Sequence, residues 1–244
     1  MESDYFPGGR KTEPAAAGLR IGGMETALVI GATGTIGGAL CRALGARGVE
    51  VTGLSRRTEG FDLTDPEAAE ARLAALPGPF DLILVATGAL EIGGAAPEKT
   101  IRAVTAEGMA AQFALNAIGP ALVLRHAARL LPRGRRAVFA ALSARVGSIG
   151  DNRLGGWVSY RASKAALNQI LRTAAIELAR THREAICAAL HPGTVRGPLT
   201  ETYLGRHPAV APEEAARNLL SVIDGLSSAD TGGFFDWAGK PVPW

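Results

Sequence analysis

Short apolar stretches recur along the chain at Ala27–Ile30, Val49–Leu54, Phe80–Ala86, Arg136–Leu142 and Ile186–Leu190. Runs of this length, with little polar alternation, predict strands covered on both faces. Between them apolar positions return at helical spacing: Ala39–Ala46, a segment from Thr64 or Asp65 through Leu76, Ala106–Leu131 around Asn116, and Tyr160 to about Arg180. Thr64 or Asp65 just ahead of Pro66 reads as a helix cap. Strand and helix patterns alternate, which predicts an α/β fold built as one doubly wound parallel sheet with helices on both faces. Ligands of such sheets lie beyond the carboxyl ends of the strands, and Gly88, Ser143 and Pro192-Gly193 all fall at such ends.

Composition narrows the picture. Residues 1–23 are rich in Gly, Pro and Ala and have no period, so a disordered extension is expected there, followed by a single domain over 24–244. The 244 residues are 47% hydrophobic, enough for one substantial core. Basic and acidic residues nearly balance, 26 against 23, and the densest basic run, Arg129 to Arg136, reads as a solvated connector, so a nucleic-acid partner is not expected. Cys41 and Cys187 stand far apart within apolar segments, as free thiols of a reducing, cytoplasmic compartment would. The four histidines have no ligand spacing, so no metal site is expected. No apolar run approaches the ~18–20 residues of a membrane span.

The first strand leads into Gly31-Ala32-Thr33-Gly34-Thr35-Ile36-Gly37-Gly38 and then a helix. A strand, a glycine turn and a helix start in that order present backbone N–H groups to a pyrophosphate with no side chains in the way. At the end of the second strand, where a dinucleotide's adenosine ribose would lie, stand Ser55, Arg56 and Arg57 and no carboxylate, which favours NADP(H) over NAD(H). Asp62 would point toward the adenine edge. Thr87-Gly88 breaks the third strand and gives the backbone room beside such a cofactor.

Tyr160 and Lys164 are one helical turn apart on one face, so an ammonium can lie beside the phenol. A tyrosine alone titrates near ~10. A nearby positive charge favours the phenolate and is expected to bring that value toward the working range of a general acid or base.

With these pieces in place the chain resembles the short-chain dehydrogenase/reductases, over about Ala27 to Trp244, and most of all the branch holding the C-factor and sniffer-type carbonyl reductases. The likeness rests on Val146-Gly147-Ser148-Ile149-Gly150-Asp151-Asn152-Arg153-Leu154-Gly155-Gly156-Trp157, on Tyr160-Arg161-Ala162-Ser163-Lys164-Ala165-Ala166-Leu167-Asn168, on Pro97-Glu98-Lys99-Thr100, on Asn116 followed by Gly119-Pro120, on His191-Pro192-Gly193-Thr194-Val195, and on Pro243-Trp244. It implies a Rossmann-type sheet and an NADP(H)-dependent oxidoreductase acting on a small carbonyl or alcohol. Tyr160 would exchange the proton. Lys164 would hold the nicotinamide ribose and lower the tyrosine pKa, and Asn116 would position a water that resupplies protons.

The same resemblance sets Gly31, Thr33, Gly34, Thr35, Ile36 and Gly37 at the pyrophosphate, and Ser55, Arg56 and Arg57 near the phosphorylated ribose. It sets Asp62 and Leu63 near adenine, Ala86, Thr87 and Gly88 by the adenosine ribose, and Pro192, Gly193 and Val195 at the nicotinamide. The chain departs from the family at the serine that binds the substrate oxygen. Aligned through Gly147, that position is Ala144, which leaves Ser143 as the serine candidate, with Ser148 behind it. Arg196 to about His207 reads as a lid. Relatives of this kind assemble as dimers or tetramers through their long central helices. The alternative reading is a cofactor-binding signalling or regulatory protein of C-factor type with weak or no turnover.

Overall fold

A computed structural model describes residues 23–198 and 209–244. The expected N-terminal extension, Gly23 apart, and the 199–207 part of the expected lid lie outside the described residues. Strand β1 (Thr26–Ile30) runs into the glycine turn and helix α1 (Thr35–Ala46), and β2 (Glu50–Leu54) into the short α2 (Arg56–Glu59). Helix α3 (Pro66–Ala74) starts as its sequence predicts, with Asp65 accepting the Ala68 N–H and Pro66 in the first turn. Strand β3 (Leu82–Val85) precedes α4 (Ala106–Phe113), a π-helical turn (Ala114–Ile118), α5 (Gly119–Arg125) and α6 (Ala127–Leu130). Then come β4 (Ala137–Leu142), α7 (Val158–Leu178), β5 (Ala185–His191), α8 (Pro212–Gly225) and β6 (Phe234–Asp236).

The strands form one parallel sheet in the order β2-β1-β3-β4-β5-β6. Successive strand side chains alternate between two cores. Leu28, Ile30, Ile83, Val85, Phe139 and Cys187 face α3, α5, α6 and α7, including Leu73, Val123, Leu130, Leu167 and Leu171. Ala27, Val29, Leu82, Leu84, Val138 and Ile186 face α1 and α8, including Leu40, Leu44, Leu219 and Ile223. Each fully buried Leu, Ile or Phe contributes on the order of 2 kcal/mol, so both layers hold the sheet. At the amino edge of the sheet, buried Asp81 accepts the N–H groups of Glu25 and Thr26 and receives Arg135 at 2.8 and 3.0 Å.

The expected continuous helix over Ala106–Leu131 is broken. Its middle loosens into the π turn around Asn116, and α5 ends at Arg125 before α6 begins. At the break, Asn116 and Gln112 bond the loop after β3, and Pro120 stands in the first turn of α5.

Candidate active site

The glycine turn is shaped by close approach. Gly31 has φ +86°, and a Cβ on Gly37 would lie 2.1 Å from Gly31 O, so α1 can start directly against the end of β1. Helix α1 has no side-chain cap and no acidic residue in its first turn, while Thr33, Gly34 and Thr35 are exposed. That is an open, electropositive helix start. Gly197 approaches from the loop after β5 so closely that a Cβ on it would stand 2.9 Å from Thr35 Cγ2.

Around this turn the other expected cofactor residues take varied roles. Ser55 is buried and caps α2, its Oγ accepting the Thr58 N–H at 3.3 Å. Arg56 and Arg57 are exposed, Arg56 lying 3.7 Å from Asp62. Asp62 Oδ1 accepts from Thr64 N and Oγ1 at 2.9 and 2.8 Å. Burial would raise this carboxyl, but the Thr64 bonds and Arg56 outweigh it and hold it low. Leu63 is a core side chain packed beneath Gly119. Ala86 and Thr87 are half-buried at the end of β3, and Thr87 Oγ1 is buried with no partner among the described residues. Pro192 and Gly193 are half-buried and Val195 buried; a Cβ on Gly193 would meet Trp237 at 2.9 Å.

Two elements bring the reactive groups together. Helix α7 carries Tyr160, half-buried, and Lys164, 2% exposed, with Lys164 Nζ 5.9 Å from the Tyr160 ring centre. Nζ donates to Leu142 O at 2.8 Å. Gly147 allows this packing, since a Cβ there would lie 2.7 Å from Lys164 Cβ. The π turn carries Asn116, fully buried, whose Nδ2 donates to Ala89 O at 3.0 Å and Gln112 Oε1 at 2.6 Å while its Oδ1 accepts the Ala89 N–H at 3.1 Å. Gln112 in turn donates to Leu90 O. Gly88 lies between the two elements: a Cβ there would be 3.1 Å from both Asn116 Oδ1 and Lys164 Nζ. Asn116, Gly88, Lys164 and Tyr160 thus form one cluster at the carboxyl edge of the sheet.

Two expectations need correction. Lys164 does not bring the Tyr160 pKa below its ordinary value here: burial pushes the phenol up to about 12 and the ammonium down to about 7. Desolvation disfavours the charged form of each and outweighs what the neighbouring charge gives back. The second concerns Ser143. It is 4% exposed and its Oγ donates to Asn168 Oδ1, itself on a 3% exposed residue of α7, at 2.6 Å. The hydroxyl proton is committed inside the core, and the extended backbone of Ala144 turns that residue to the opposite side. Ser148 is committed too, donating to Pro243 O at 2.5 Å. Sequence reasoning gave no role to Gln112, Asn168, or Glu98, whose carboxylate receives the N–H and Oγ of Ser159 at the start of α7. Gln112 and Asn168 each lie one turn from a candidate residue on the same helix, and Asn168 and Glu98 stand in stretches that carry the family resemblance, the signals that pointed to them.

The class this fold and site define is an oxidoreductase built on a dinucleotide-binding sheet. Residues 60–222 match the family model described as enoyl-(acyl carrier protein) reductase. The chain is 30% identical to the 1-hydroxy-2-glutathionyl-2-methyl-3-butene dehydrogenase of Rhodococcus sp. (strain AD45), over 91% of this chain and 100% of the relative. It is 38% identical to the C-signal protein of Myxococcus xanthus, over 56% of this chain and 78% of that protein. Its structure is similar to that of NADPH-bound carbonyl reductase from chicken fatty liver, with a TM-score of 0.79, 25% identity and coverage of 92% and 96%. The chain belongs to the short-chain dehydrogenase/reductase family.

Proposed function

We propose that the protein is an NADP(H)-dependent oxidoreductase acting on a carbonyl/alcohol pair, with Tyr160 as the group that gives or takes the proton. The observation that carries this reading is the cluster in which buried Lys164 and Asn116 meet across Gly88 beside Tyr160. The residues fit the cofactor: the start of α1 is open, Gly88 and Gly31 keep side chains away from it, and Thr87 Oγ1 is buried without a partner among the described residues. Thr33 to Gly37 would hold the pyrophosphate, Arg56 and Arg57 the added phosphate of NADP(H), and Pro192, Gly193 and Val195 the nicotinamide. When bound, the cofactor supplies or accepts the hydride.

The chain's own part is proton management. With its pKa pushed up to about 12, Tyr160 holds its proton at neutral pH but is a weak acid, so donation to a carbonyl oxygen depends on stabilising the phenolate. The phenolate left behind is stabilised by Lys164 in its ammonium form, tethered to Leu142 O. Both Asn116 amide protons are committed, so Asn116 serves this cluster through Oδ1 alone, as an acceptor across Gly88. The similar chicken enzyme is a carbonyl reductase bound to NADPH, which supports both the cofactor and the substrate class. Ile118 and Ile176, half exposed on the π turn and α7, support assembly of two or four copies through these helices.

Replacing Tyr160 with Phe is expected to lower turnover by about 10²–10⁴ while NADPH binding, read by fluorescence, stays within a few-fold. Unchanged turnover would remove Tyr160 from the reaction.

A further inference from the structure

Helix α7 delivers both Tyr160 and Lys164, yet its own sequence does not provide a start. Trp157 occupies the N-cap, a residue with no side-chain acceptor, in a left-handed conformation with φ +53° and ψ +41° that L side chains rarely adopt. Gly155 and Gly156 before it also have positive φ, +64° and +67°, so the chain enters the helix through three consecutive left-handed residues. Such a course persists only where the surroundings fix it.

The fixing group comes from the loop before α4. The Trp157 N–H donates to Glu98 O at 2.5 Å, the Ser159 N–H donates to Glu98 Oε2 at 3.3 Å, and the Ser159 hydroxyl donates to the same carboxylate. Ser159 is 1% exposed. On the other side Arg161 Nε donates to Gly156 O at 2.9 Å, closing the turn. The Trp157 ring stands edge-on to Tyr160, with centres 6.4 Å apart and planes at 71°. Despite burial, the Ser159 bonds hold Glu98 below the ordinary carboxylate range, so it meets the helix start as an anion.

We propose that Glu98 is the positioning residue of Tyr160: it is the N-cap that α7 lacks, supplied across the fold, and it sets where the first turn begins and therefore where the phenol lies over the cleft. The inference rests on Tyr160 as acid/base. Glu98 accepts at the second N–H of the helix, as a local capping side chain would, and its backbone oxygen fixes the residue before it. Loss of the cap frees the first turn, and Tyr160 is its third residue.

The test compares Glu98→Ala, Glu98→Gln and Tyr160→Phe by steady-state kinetics with NADPH and a carbonyl panel, and by hydrogen exchange of the α7 amides. Glu98→Ala should lower kcat by about 10- to 100-fold with both KM values within about threefold, because misplacement acts on the proton step and not on binding. Glu98→Gln keeps an acceptor for the Ser159 N–H and should recover most of kcat. The Ser159 amide should exchange faster in Glu98→Ala. Unchanged kcat in Glu98→Ala, with Tyr160→Phe inactive, overturns the proposal. So does an equal loss of kcat, KM and folding in both Glu98 variants, which marks a merely structural role. If Tyr160→Phe is active, the acid/base reading fails instead, and faster Ser159 exchange in Glu98→Ala would still establish the cap.

Discussion

Ser143 and Ala144 are neighbours with opposite expected effects, and the structure supplies the magnitudes. Ser143→Ala removes the 2.6 Å bond to Asn168. Asn168 Nδ2 is already without a partner among the described residues, so the variant strands the whole amide in the core. Stranding a buried polar group costs about 1–3 kcal/mol, and this site belongs near the upper end. The cost falls on stability, read as the shift of a urea midpoint at constant m, while kcat should stay within about twofold because the hydroxyl does not reach the cleft. Ala144→Ser adds a hydroxyl at the position that the family pattern reserves for the substrate oxygen, on an extended backbone that accepts serine without strain. One added donor to a developing oxyanion is worth about 3 kcal/mol, or roughly 10²-fold in kcat. Turnover is followed by loss of NADPH absorbance with a panel of carbonyls. A hundredfold loss of kcat in Ser143→Ala with unchanged stability would refute the reasoning, since the proton of Ser143 would then be serving the substrate.

Four further outcomes are expected. Carbonyl reduction should hold its rate below pH 7 and slow as the pH rises through about 7, where Lys164 loses the charge that stabilises the phenolate; Lys164→Arg, charged throughout, should abolish that limb in a kcat–pH profile. Between pH about 7 and the ordinary lysine value the unfolded chain binds the extra proton, so this group makes stability rise with pH, by up to about 1.4 kcal/mol per unit. At Asp81, burial is outweighed by the amides of Glu25 and Thr26 and by Arg135, which hold its pKa low, so its contribution is present above the ordinary carboxylate value and lost as the pH falls through the folded one; Asp81→Ala should cost about 2–3 kcal/mol at pH 7 and flatten that acid limb in chemical denaturation. Arg57→Ala should raise the KM for NADPH about tenfold or more and leave that for NADH within about twofold, which a comparison of initial rates reads directly.

The parts of the chain that could be read in advance are those whose signal is local. Apolar runs and glycines marked β1, the turn and α1, and i, i+4 spacing marked Tyr160 with Lys164. Helix α8 carries a local signal too, with Pro212, Glu213 and Glu214 in its first turn, although it stands outside the expected elements; β6, three residues long, carries too little pattern. Other features are set by groups distant in sequence. The break in the central helix coincides with bonds from Gln112 and Asn116 to residues 89 and 90. The cap of α7 comes from 61 residues upstream. The pKa of Tyr160 followed burial, which spacing does not report.

The π turn over Ala114–Ile118 fits one residue more into its coil than an α-helix would. Deleting one of those five residues would let the coil close as a regular α-helix, so the turns on either side could keep their facing and Gly119 its seat on Leu63. The loss would fall on the surplus residue's own work, the reach of the Asn116 amide to the chain beyond β3. A length change of one residue there would therefore strike the site and spare the packing of the core.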